Sequence, residues 1–170
     1  MAVTIGYLNT CDASAFTAAL GHLFEHSPWV ATETWPDRPF RDAAHLHGAL
    51  CARLEVASRE RKLALIRAHP DLAGRLARSR QLTAESTREQ ASAGLDRLTD
   101  AELEDFVRLN AAYTERFGFP FIICARLNAK DAIVAAMRRR ISHAPDVEFA
   151  TALDEIAKIA RLRLMDTLSA

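Results

Sequence analysis

The chain has 170 residues, 49% hydrophobic and 26% charged, with 22 basic side chains matched by 22 acidic ones. That length suits one domain with a real core, and the composition is that of an ordinary globular protein. Balanced charge removes any general pull towards nucleic acid or an anionic membrane, and no apolar run approaches the roughly 20 residues of a transmembrane span.

The N-terminus lacks the basic flank and apolar stretch of a signal peptide, and Ser169-Ala170 is not a peroxisomal address. Cys11, Cys51 and Cys124 are odd in number and far apart. That spacing argues against a disulfide framework and for a reducing cytoplasm.

In chain order, Asp12 or Ser14 is positioned to cap a first helix running to about His26, with Phe16, Leu20, Leu23 and Phe24 as its apolar stripe. Pro28 breaks it, a short piece through Trp29 and Val30 follows, and Trp35 to Phe40 is a loop with two prolines. Helical patterns cover 41–57 and 59–68, the second ending at His69-Pro70. Asp71 to Gly74 reads as a turn before a further short helix. Thr83 caps a helix over 84–94 that stops at Gly94, and Thr99 with Glu102 forms a capping-box pattern for 100–116. Helices at 129–141 and 147–168 complete the chain, the last capped by Asp146, with Phe149, Leu153, Ile156, Ala157, Ala160, Leu164 and Leu168 as its buried stripe. No stretch alternates as a strand does. The expectation is a single all-α domain, residues 1–170, of about eight helices.

One stretch breaks the helical pattern. In residues 115–126, Gly118 can end a helix in a left-handed conformation, and Pro120 forces Phe119 towards extended geometry. Phe121 to Cys124 are then an extended apolar run whose backbone N–H and C=O groups need partners. Two readings stand: a buried connector bonded to neighbouring helices, or a rigid wall of backbone groups and rings facing a ligand.

Four other places carry candidate chemistry. His22-Leu-Phe-Glu-His26 matches the His-x-x-Glu-His pattern of inverted zinc proteases, with Glu25 as base, but three fixed positions arise often by chance and no third ligand is evident. His69, at a helix end before a proline, sits on a stiff backbone, with Asp71 near enough in sequence to tune it. A plainer role for both is capping. Ser86, Glu89 and Gln90 share one polar helix face, although Ser86 and Glu89 also fit a capping box. In the last helix, Arg161 and Arg163 fall on opposite edges of the apolar stripe, and periodicity does not choose between them. Lys62, Lys130 and Lys158 lie in polar helical contexts that suit solvent rather than a Schiff base, and no phosphate-binding glycine loop is present.

Several segments together resemble the 2-oxo-4-hydroxy-4-carboxy-5-ureidoimidazoline (OHCU) decarboxylases of urate degradation. They are Glu25-His-Ser-Pro-Trp-Val-Ala31, Arg38-Pro-Phe40, Ala68-His-Pro-Asp-Leu-Ala-Gly74, Leu82 to Gln90, Ala93-Gly-Leu-Asp96, Leu109-Asn110, Tyr113, Phe117-Gly-Phe-Pro-Phe-Ile122 and Glu155 to Leu164. The resemblance implies an all-helical fold of that type, usually homodimeric, and a cofactor-free carboxy-lyase yielding (S)-allantoin. By position it places the family's catalytic residues on His69, Glu89 and Arg163. It places substrate contacts on Pro70, Ser86 and Gln90, and on Phe119, Phe121, Ile122 and Ile123 of the interrupted stretch. Either His69 or Glu89 can be the proton donor. His143 departs from the asparagine often found there in relatives, and His22 lies outside the family pattern, which weakens the zinc reading. A helical binding module and an enzyme for a related ureide are the rival functions.

Overall fold

The computed structural model describes residues 2–74 and 81–168. Among them are nine α-helices and no strand: α1 Ile5–Thr10, α2 Ala13–Leu20, α3 Trp29–Thr34, α4 Ala43–Val56, α5 Arg59–Ala68, α6 Ala84–Ser92, α7 Asp100–Phe117, α8 Lys130–Arg140 and α9 Pro145–Thr167. The all-α expectation holds; the short helix expected after Gly74 lies outside the described residues. No described helix is long and apolar enough to cross a membrane. The chain forms two compact units, one of Met1–Ala68 with Ala157–Ala170, the other of His69–Ile156.

In the first unit the opening differs from the sequence expectation. A six-residue helix, α1, precedes the expected one, with the Thr4 side chain accepting from Tyr7 N at its start. Helix α2 begins after Asp12, which accepts from Ala15 N at 2.8 Å, but ends at Leu20 rather than His26. The cause is tertiary. A Cβ on Gly21 would lie 2.7 Å from Thr17 O and 3.1 Å from the Pro28 side chain, so the returning chain packs where a helical side chain would stand. His26 then takes a left-handed φ of 46°. Leu23 and Phe24 remain buried, from a turn instead of a helix, beside Leu8, Phe16, Leu20, Val30, Leu46, Leu50, Leu65 and Ile66. Asn9 pairs with the Phe40 backbone in both directions at 2.8 Å and so closes the proline loop against α1.

In the second unit local chemistry works as written. Thr83, not Ser86, caps α6 and accepts from Ser86 N at 3.2 Å. Thr99 and Glu102 complete a reciprocal capping box on α7. Gly118 ends that helix with φ 74°, the left-handed geometry that glycine adopts most cheaply. Helix α9 starts earlier than expected: Pro145 is its first residue, its preset φ suiting that position, so Asp146 lies inside the first turn rather than at the cap.

The acid limb of stability can be tested at α7. A hydrogen bond from Lys130 at 2.5 Å, and after it one from Thr99 N–H, pulls Glu102 from 4.5 down to about 2. A depressed carboxylate contributes stability above its unfolded value and loses it as pH falls through the folded one. Wild type should therefore exceed E102Q in urea midpoint near neutrality, with the gap closing between about pH 4.5 and pH 2. Glutamine can still serve the capping box, so a gap that persists at pH 2 would assign the effect to something other than the charge.

Candidate active site

His69 is the first residue after α5 and only 8% exposed. The half-buried Pro70 follows it and stops the helix. The turn beyond is gripped by two side-chain amides: Asn110 Nδ2 donates to Leu72 O at 2.9 Å, and Ala73 N donates to Gln90 Oε1 at 2.9 Å. Ala73 has a left-handed φ of 51°, and a Cβ at Gly74 would lie 2.5 Å from Asp71 Cβ, so the turn admits no side chain there. Burial raises the pKa of Asp71.

Helix α6 therefore has one hand on the His69 turn through Gln90. Its polar face divides by depth: Ser86 and Gln90 are buried, Glu89 half-buried. The helix also packs on the 3₁₀ turn Ala125–Leu127. Burial first, then the carboxylates of Glu155 and Glu89, raise the pKa of the Cys124 thiol.

That stretch runs without regular structure from Gly118 to Cys124, with Phe119, Phe121, Ile122 and Ile123 all buried. Its backbone finds the partners that the sequence said it must. Cys124 N donates to Glu155 Oε2 at 2.7 Å, Ile122 O accepts from Arg140 Nη1 at 2.8 Å, and Cys124 O accepts from Asn128 Nδ2 at 3.0 Å. Arg140 also lies over the Phe121 ring, 4.3 Å from its centroid. It is held by Glu148, whose carboxylate accepts from Arg140 Nε and Nη2 at 3.1 and 3.0 Å, from Tyr113 OH, and shares a 2.8 Å bond with His143 Nδ1. Phe117, Phe119 and Phe121 surround Tyr113 with ring centroids 4.6 to 6.0 Å away. The connector reading thus accounts for several of the segment's backbone groups.

The first unit holds Arg163, which is 4% exposed, whereas Arg161 points to solvent. Arg163 Nη1 donates to Glu25 Oε2 at 3.0 Å and to His22 O at 3.3 Å. The zinc reading loses its premise here, because 22–26 is not helical and the two histidines share no helix face. Glu25 is ion-paired with Arg163, and His22 Nε2 bonds Thr167 Oγ1 at 3.0 Å. No group of metal-binding side chains is found among the described residues.

Sequence reasoning missed Asn110, Arg140, Glu148, Glu155 and Glu25 as buried partners. Glu25 lies in a turn and carries no such signal, but on the helices a polar residue within an apolar stripe is one: Asn110 follows Phe106 and Leu109 and precedes Tyr113, while Arg140 follows Ile133, Ala136 and Met137. Asn110 Oδ1, also buried, has no hydrogen-bond partner among the described residues.

Comparison with known proteins fits these observations. The pattern of the OHCU decarboxylase family matches residues 9–165. A 2-oxo-4-hydroxy-4-carboxy-5-ureidoimidazoline decarboxylase of Haloferax volcanii is 46% identical over 98% of this chain and 97% of its own. The mouse protein of the same name is 39% identical over 96% and 92%. A crystal structure of an (S)-allantoin synthase, 33% identical, superposes with a TM-score of 0.80 over 98% of this chain and 54% of that one. A family pattern spanning nearly every described element, from α2 to most of α9, places this chain in the OHCU decarboxylase family.

Proposed function

We propose that this protein is a carboxy-lyase converting 2-oxo-4-hydroxy-4-carboxy-5-ureidoimidazoline to (S)-allantoin in urate degradation. The observation that carries the reading is the family match from residue 9 to 165, with relatives of that name aligned nearly end to end. The geometry adds support: α6, which carries Ser86, Glu89 and Gln90, holds the turn that begins at His69 and packs on the 3₁₀ turn that follows the Phe119–Cys124 stretch.

In the reaction the bond from the ring carbon to its carboxylate breaks and CO₂ leaves. The electron pair enters the ring, whose C=N bond is an adequate sink without a borrowed one. The adjacent carbon then takes a proton on one face and the ring nitrogen that received the pair takes another, while the ring hydroxyl gives up its own and becomes a carbonyl. Arg163 supplies a charge-assisted hydrogen bond to the substrate's carboxylate or carbonyl oxygen. Glu89, with Ser86, orients the hydroxyl and ureido donors; Gln90, whose oxygen already accepts from Ala73 N, donates from its amide nitrogen to an oxygen of the substrate. His69, with Pro70 stiffening its backbone, delivers the proton, a role matched to an imidazole near neutrality. Phe119, Phe121, Ile122 and Ile123 wall the ring, with backbone donors that need no reorganisation. The protein acts as a cytoplasmic homodimer without a cofactor.

The test generates the unstable substrate in place from urate with urate oxidase and hydroxyisourate hydrolase, and follows the product by chiral chromatography. Fast appearance of (S)-allantoin, unaffected by chelator, is expected. Slow racemic allantoin, unchanged by the protein, would defeat the proposal and favour a related ureide as substrate.

A further inference from the structure

Arg163 is a buried cation, and within the first unit one of its nitrogens is held from two sides. Nη1 carries two hydrogens, and it meets two acceptors, Glu25 Oε2 at 3.0 Å and His22 O at 3.3 Å. Both acceptors belong to the turn that replaces the expected end of α2, between the closely packed Gly21 and the left-handed His26. A second tie closes the circle. Thr167 Oγ1 donates to Arg163 O at 2.7 Å, which leaves that hydroxyl to accept from His22 Nε2 at 3.0 Å. The turn and the last helix are thereby locked at both the side chain and the backbone of Arg163. Glu25 is 3% exposed, so its charge is screened little by solvent.

We propose that Glu25 is a positioning residue for the reaction, setting the guanidinium of Arg163 rather than touching substrate; this rests on the reading of Arg163 as the arginine that meets the substrate's oxygens. A carboxylate is a curious neighbour for a group that must attract an anion. It lowers the net attraction for substrate, and in exchange holds the cation where charge develops later. Fixed donors aimed at developing charge favour the transition state over the bound substrate. Loss of Glu25 should therefore act on kcat and not weaken binding.

The experiment compares steady-state kinetics and thermal melts of wild type, E25Q, R163K and the double variant, using the substrate generated in place. E25Q keeps a carbonyl acceptor for Nη1 and removes the charge. It should lower kcat by about ten- to a hundredfold, the range expected of a catalytic group displaced by around 1 Å. KM should hold or fall; the melting temperature should fall as well, because the buried Arg163 loses its counter-charge, so kcat is compared per folded molecule. In the R163K background the E25Q effect should largely vanish, because residues acting through one another are not additive. Wild-type kcat in E25Q, or an undiminished E25Q loss on top of R163K, would overturn the assignment. A purely structural pair would lower the melting point and leave kcat per folded molecule unchanged, which also overturns it. Full activity in R163K would instead remove the reading of Arg163 itself. Should E25Q not fold, E25D keeps the charge but withdraws the carboxylate by one methylene, and a folded E25D with wild-type kcat overturns the proposal equally.

Discussion

His69→Asn should fold normally and lose about 10²- to 10⁴-fold in the rate of (S)-allantoin formation, the usual cost of removing a general acid. Asparagine is smaller but polar, and His69 sits at a helix end rather than in the apolar core, so far-UV circular dichroism should match wild type. The stereochemistry separates the two candidate donors. If His69 delivers the proton, residual product from H69N should drift towards racemate, since solvent would then protonate either face. Glu89→Gln should be slow yet still give the S form, because its part is to orient the ring. The reverse pattern would move the donor to Glu89. An H69N variant retaining the full stereospecific rate would remove His69 from the mechanism.

What the sequence disclosed and what it hid divide along a physical line. Caps and stops are local chemistry, so Thr83, the Thr99–Glu102 box and Gly118 were readable from a few residues and stand as read. The end of α2 was not readable, because the approach of Pro28 to Gly21, seven positions away, decides it. Helix α9 shows the sharper limit. An apolar stripe through Phe149, Leu153, Ile156, Ala157, Ala160, Leu164 and Leu168 was expected; Ile156, Ala160 and Leu164 are buried, but the other four are only half-buried. The buried face also takes in Glu148, Ala152, Glu155, Ile159 and Arg163. That face keeps helical spacing, but three of its members are charged, and a stripe drawn from hydrophobicity alone is rotated away from them. The same rotation leaves Arg161 in solvent and buries Arg163, a choice that periodicity left open. Likewise the need of residues 121–124 for backbone partners followed from their extended run. The partners themselves, Arg140 and Glu155, lie 18 and 31 positions away.

Glu148→Ala should be the most destabilising single change in the second unit. The carboxylate is wholly buried and accepts from Arg140, Tyr113 and His143 together. Burial alone would raise its pKa; the hydrogen bonds from Arg140 and Tyr113 outweigh burial and hold it below the ordinary carboxylate range. It is therefore the charged form that the fold uses, and its contribution is present above the ordinary value and lost as pH falls through the lowered one. Removing it strands the Arg140 cation and the Tyr113 hydroxyl in a dry site, a loss of about 3–5 kcal/mol, which is a large share of the roughly 5–15 kcal/mol that holds a typical domain. Urea unfolding at neutral pH would show it, and a change below about 1 kcal/mol, the range of an exposed pair, would mean that Arg140 finds another counter-charge. The consequence should also reach the interrupted stretch. Arg140 Nη1 carries Ile122 O, while Glu155 separately carries Cys124 N. Hydrogen exchange at Ile123 should then accelerate more than at Cys124, because one of the two anchors is lost and the other stays.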